Sequence, residues 1–80
     1  MKHLFIHLKV QDGERVHDHK VLHTTNAENL AFAAERYVAS YWGYGEHDGD
    51  WWWFNGEIAA TLETYSELTE QEFEILNRFL

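Results

Sequence analysis

Six histidines are the residues in this chain with the most chemistry to offer, and their spacing decides what that chemistry can be. His3 and His7 lie in a stretch that alternates apolar and polar, and His17 and His19 lie in the next, so each pair shares one side of its predicted strand. With a three-residue Gln11-Asp12-Gly13 loop, Val10 faces Glu14, His7 faces His17 and Phe5 faces His19. His3, His7, His17 and His19 then gather on one face, where neighbouring imidazoles ligate Zn²⁺ or Ni²⁺. A two-residue Asp12-Gly13 turn sends His17 and His19 to the other face and dissolves the group. A strand histidine is more often a plain polar surface residue, so no metal and no other cofactor is expected; these four are the candidate ligands if there is one. Charging all six takes the formal charge from −8 to −2, and low net charge favours association, so acid should promote aggregation.

Catalytic groups are sparse. The chain has no cysteine, Ser66 stands in no nucleophile motif, and Ser40 falls inside a predicted helix. His17-Asp18-His19 and Glu46-His47-Asp48 each set an imidazole beside a carboxylate, as a general base requires, but neither brings a second group to orient it. The sequence therefore reads as a non-enzymatic protein.

The remaining chemistry is aromatic. Trp51-Trp52-Trp53-Phe54 runs into Asn55-Gly56, the dipeptide best suited to the positive φ angles of a type I′ turn, which predicts a hairpin with strands near 50–54 and 57–64. A two-residue turn pairs Phe54 with Glu57, Trp53 with Ile58 and Trp51 with Ala60. One face then carries Trp51, Trp53, Ile58, Ala60 and Leu62 toward the core. The other leaves Trp52 and Phe54 uncovered beside Glu57 and Glu63, with Phe5 of the first strand able to join them. An exposed aromatic group on a small domain marks an interface with a partner protein or a second copy in a homodimer; the bland alternative is that the loop 43–50 covers it. Base stacking on such a face is opposed by Glu57 and Glu63, which repel phosphate.

Charge geography points the same way. Residues 1–45 hold five acids and five bases, whereas 46–80 hold nine acids and Arg78 alone, so the second half carries the whole net charge of −8. Direct nucleic-acid binding is disfavoured, because it needs clustered Lys and Arg to replace counterions. Charged partners should be basic. A second reading follows, in which the acidic half mimics nucleic acid and occupies the basic site of a DNA- or RNA-handling protein, as small phage or mobile-element proteins do. The plain reading is a solvated acidic surface.

These groups must be held by a chain of 80 residues, one domain at 1–80, whose core is too small for wide margins of stability. Residues 2–10 alternate as a strand, and 15–24 form a second, more polar one. Val16 and Leu22 share a parity that Val21 breaks, which demands either a bulge near 17–20 or an edge strand. Thr25-Asn26-Ala27-Glu28 matches a capping box and opens a helix to about Tyr41, with Leu30, Ala34, Tyr37, Val38 and Tyr41 as its buried stripe, Ala27 and Ala31 at the close approach and Gly43 beyond its end. Residues 44–50 read as a loop and Tyr65-Ser66-Glu67 as a connection. Thr69-Glu70-Gln71-Glu72 is a second capping box, opening a terminal helix. The expected fold is an α+β two-layer sandwich in ββαββα order, a four-stranded, mainly antiparallel sheet with both helices on one face. No stretch resembles a signal peptide or a membrane span, so cytoplasmic residence is the default.

Overall fold

Leu4, Ile6, Leu8 and Val10 alternate with His3, Phe5, His7 and Lys9, and this period of two makes Lys2–Asp12 the first strand, β1, of the computed structural model, which describes residues 1–80. Leu4, Ile6 and Leu8 are fully buried, Val10 nearly so, and the four form the centre of the core. β2 (Arg15–Thr25) returns antiparallel in an unbroken register from Asp12↔Arg15 to Lys2↔Thr25. The loop between them is Gly13-Glu14. Gly13 at φ 64 is its only residue with positive φ, the arrangement of a type II′ turn, so the ladder runs through Gln11 and Asp12 rather than stopping at Val10. β2 is thus an edge strand without a bulge. Val21 lies opposite Ile6 on the core side, and Val16 and Leu22 take the other side.

Thr25 remains in the strand, so it does not cap a helix. Its hydroxyl accepts the Ala27 N–H at 3.1 Å in a local turn, and Asn29 supplies the cap, accepting the Phe32 N–H at 3.0 Å. Helix α1 therefore spans only Leu30–Ala39, and the Ser40 hydroxyl closes it on the Arg36 carbonyl at 2.8 Å. Ala33, Ala34 and Val38 are its buried residues, the alanines allowing close approach to the sheet where Ala27 and Ala31 were expected to do so.

The segment read as a loop forms a fifth strand. β3 (Glu46–Asp48) pairs with β4 (Trp51–Trp53), and β4 pairs with β5 (Ile58–Leu68). The sheet order is β2-β1-β5-β4-β3, with every neighbouring pair antiparallel, so α1 carries the chain from one edge of the sheet to the other. The fold is α+β, but the sheet has five strands rather than four and the order is ββαβββα. Residues 65–67 belong to β5 and are no connection. Between His7↔Thr64 and Leu8↔Leu62 the register shifts, leaving Glu63 as the extra residue of a bulge.

The second helix, α2 (Glu70–Asn77), opens with the expected capping box: the Thr69 hydroxyl accepts the Glu72 N–H at 3.1 Å, and the Glu72 carboxylate accepts the Thr69 N–H at 2.9 Å. It does not join α1. α1 covers the Leu4–Val10 side, whereas α2 leaves β5 beside His3 and meets the opposite face, stacking Phe73 on the His3 ring at 4.0 Å. With β5 running to Leu68, one residue remains to redirect the chain, too few to carry a helix around the sheet. No helix is long and apolar enough to cross a membrane.

Candidate interaction surface

The aromatic hairpin is turned over relative to a two-residue Asn55-Gly56 turn. Asn55 Oδ1 accepts the N–H groups of Glu57 at 2.8 Å and Ile58 at 3.0 Å, and the Phe54 N–H donates to the Ile58 carbonyl at 2.9 Å. Three residues thus span the connection, and the ladder reads Trp52↔Ala60 and Trp53↔Ala59. One residue of slip exchanges the two faces. Trp52 and Phe54, expected on the open face, pack on the core under α1. The Trp52 indole N–H donates to Glu35 at 3.1 Å, and His47 stacks on its ring at 4.5 Å.

Trp51 and Trp53 occupy the face that α1 leaves open, both half-buried. Their neighbours on β3 are Asp48, opposite Trp51, and Glu46, opposite Trp53; cross-strand partners share a face, so two exposed carboxylates stand beside two indoles. At the end of β4, Trp51 borders a shallow depression that Lys9, Asp50, Thr61 and Glu63 share with Glu35, His47 and Leu62 of the α1 side. Lys9 lies 3.6 Å from Glu63, which partly neutralises that corner. Glu57 is exposed in the β4–β5 connection. Phe5 is on this face but toward its other end, between Leu22 and Ser66, whereas the row through Trp53 and Ala59 meets β1 at Gln11. Of the five residues expected at an interface, Glu57 and Glu63 lie near this patch, Phe5 stands apart on the same face, and Trp52 and Phe54 are beneath the helix.

The histidines do not converge. The Gly13-Glu14 turn sets Val10↔His17 and Leu8↔His19, so His17 and His19 point to the α1 side while His3 and His7 point to the other. No set of three or more His, Asp or Glu side chains is placed to hold a metal ion. Each imidazole of the first strand has its own partner. His3 bridges Thr24 Oγ1 at 2.9 Å and Glu70 Oε1 at 3.0 Å, and His7 Nε2 meets Asp18 Oδ1 at 2.9 Å. That hydrogen bond from His7 is the main reason the Asp18 carboxyl titrates below its ordinary range.

The two His–acid triplets separate for the same reason of alternation. In β3, His47 turns toward Trp52 while Glu46 and Asp48 turn away; in β2, Asp18 lies on the side opposite His17 and His19. Ser40 is occupied as a helix cap. What the surface offers chemically is two indole faces among carboxylates, a combination that attracts cationic side chains through both charge and the ring quadrupole. No family model, curated protein or solved structure matches the chain.

Proposed function

We propose that this is a non-enzymatic protein-binding module that takes a Lys- or Arg-bearing segment of a partner on the open sheet face, between the Trp51 and Trp53 indoles and the Glu46 and Asp48 carboxylates. The observation that carries this reading is the pairing of Asp48 with Trp51 and Glu46 with Trp53 on the side away from α1. Each indole there has a carboxylate across the strand, so a guanidinium or ammonium stacked on the ring meets its counter-charge without rearrangement. The surplus of acids in residues 46–80 favours encounter with a basic surface and repels nucleic acid itself. A cysteine-free chain suits a reducing compartment such as the cytoplasm.

A nucleic-acid-mimicking inhibitor would use the same surface, since the basic groove of a DNA- or RNA-handling protein is one place where such a segment is found. Titrating arginine-rich and lysine-rich peptides while following tryptophan fluorescence tests the main reading. Binding should weaken with salt, disappear in Asp48→Lys and drop sharply in Trp51→Ala, with circular dichroism unchanged. Absence of binding to every basic peptide at low salt would overturn it. Competition by duplex DNA for the partner then separates mimicry from simple peptide capture.

A further inference from the structure

β2 is the strand left unpaired along the whole of one side, whereas β5 is open on its β4 side only beyond the short ladder at Ala59 and Ala60. The eleven residues of β2 pair with β1 on one side and with nothing on the other. Such an edge presents a row of unpaired N–H and C=O groups, and folds ordinarily blunt it with proline, a bulge, a covering element or charged side chains, lysine above all. β2 has no proline, no bulge and no strand beyond it, and its charges, Arg15, Asp18 and Lys20, are of both signs, so a second copy in the right register can neutralise them. The opposite edge, β3, is three residues long and carries Glu46 and Asp48, so it repels a copy of itself.

The turn fixes which groups are free. In a two-residue loop the Arg15 N–H closes onto Asp12, so Arg15, His17, His19, Val21 and His23 aim their backbone groups at β1. Val16, Asp18, Lys20, Leu22 and Thr24 aim theirs outward.

We infer that two copies of this chain pair β2 against β2, antiparallel, about a twofold axis at His19, joining two five-stranded sheets into one. The side chains of β2 select that register. With His19 opposite its own copy, Asp18 faces the second copy's Lys20 and Lys20 its Asp18, while Val16 faces Leu22 and His17 faces Val21. Two opposite-charge pairs and two apolar pairs thus form on the open face. Centring the axis on Asp18 opposes Asp18 to itself, and centring it on Lys20 opposes Lys20 to itself.

Glu46 and Asp48 lie on β3, at the edge farthest from β2, so this pairing keeps those carboxylates apart, while Glu70 of α2, bonded to His3 beside Thr24, stays nearer the seam. The axis stands perpendicular to the sheet. Both Trp51–Trp53 faces then look the same way, giving a bivalent surface, although the pairing itself does not depend on what those faces bind.

Light scattering after size exclusion should give twice the 9.5 kDa chain mass. Lys20→Asp places like charges at two symmetric points and should raise the dimer dissociation constant about tenfold or more. The charge-swapped Asp18→Lys/Lys20→Asp protein should recover the dimer. Because the chain has no cysteine, His19→Cys supplies a single thiol at the non-hydrogen-bonded position where facing Cα atoms lie about 4.5 Å apart, and it should cross-link on mild oxidation, whereas Val21→Cys should not. A monomer at all concentrations without a His19→Cys cross-link, equal cross-linking at both positions, or a dimer indifferent to Lys20→Asp would each overturn the inference.

Discussion

Trp52 stands directly across the sheet from Ala60, and this single pairing decides which tryptophans build the core and which face outward. Ala60 belongs to the core cluster that α1 covers, whereas Ala59, equally buried and opposite Trp53, does not, so Trp52 is drawn under the helix together with Phe54. The cause is local. Asn55 captures two successive N–H groups with one side-chain oxygen, which adds a residue to the connection and shifts the ladder by one.

Trp52→Ala should therefore be a stability mutation. Removing a large half-buried ring and its hydrogen bond to Glu35 should cost about 3 kcal/mol, the lower end for aromatic-to-alanine changes in cores. In a domain of this size that lowers Tm by roughly 12 °C or more. Trp51→Ala, at the end of β4 on the open face, should change stability by less than about 1 kcal/mol. Urea and thermal denaturation of the two variants, compared side by side, check the assignment; equal losses would contradict it.

The same region makes a sharper test of the turn. Gly56 has no positive φ, and a Cβ there meets nothing within 4 Å, so Gly56→Ala should be neutral or stabilise by about 0.5 kcal/mol. A type I′ turn would instead strain that alanine. Asn55→Ala should cost about 1 kcal/mol by releasing the Glu57 and Ile58 N–H groups. Gly45→Ala should be worse, about 1–3 kcal/mol, because its Cβ would sit 2.9 Å from Phe54 Cε1 and 3.0 Å from the Ala39 carbonyl oxygen. Chemical denaturation of the three variants gives the order.

Features that one segment decides for itself were legible in the sequence: the alternation of β1, with Leu4, Ile6, Leu8 and Val10 inward, and the Thr69–Glu72 capping box. Features decided by a neighbouring strand were not. Thr25-Asn26-Ala27-Glu28 has the capping pattern, yet Thr25 is held extended by its ladder partner Lys2, and tertiary pairing overrides the local preference. A missed signal lies in the recurrence of Asp-Gly-acid, at Asp12-Gly13-Glu14 and Asp48-Gly49-Asp50. Both glycines take φ near 64–65, and both lead two-residue turns, Asp12↔Arg15 and Asp48↔Trp51. Reading the second as a hairpin reveals β3 and places Glu46 and Asp48 beside Trp53 and Trp51. The first sets the parity of β2, which separates His17 and His19 from His3 and His7.

α2 is held by its cap more than by packing. None of its residues is fully buried, and Phe79 and Leu80 just beyond it are 81% and 60% exposed. Thr69→Ala removes one half of the capping box, at a typical cost of about 1 kcal/mol, and the loss should fall on this element alone. Amide exchange in residues 70–77 should accelerate while the β1 amides, which report global unfolding, keep their protection. Uniform loss of protection would show that α2 folds as one unit with the sheet.

Acid and alkali should act on different groups. The Asp18 carboxyl is lowered chiefly by its hydrogen bond from His7, and that of Glu72 by the backbone and side-chain hydrogen bonds of Thr69. A lowered folded-state pKa means the unfolded chain binds the proton more tightly, so both contributions are present above about pH 4 and disappear as the pH falls through the lower folded values. Both carboxylates are on the exposed surface, where solvent screens them, so the slopes are shallow. Asp18→Asn and Glu72→Gln should each flatten the fall in urea midpoint between about pH 4 and 2. Tyr37 behaves oppositely: burial, aided by Tyr41, raises its phenol, so the folded state holds the proton more tightly and stability declines as the pH climbs above about 10 toward the raised value. Tyr37→Phe should remove that alkaline decline and leave the acid limb unchanged, and an alkaline limb that persists in Tyr37→Phe would assign it to another group.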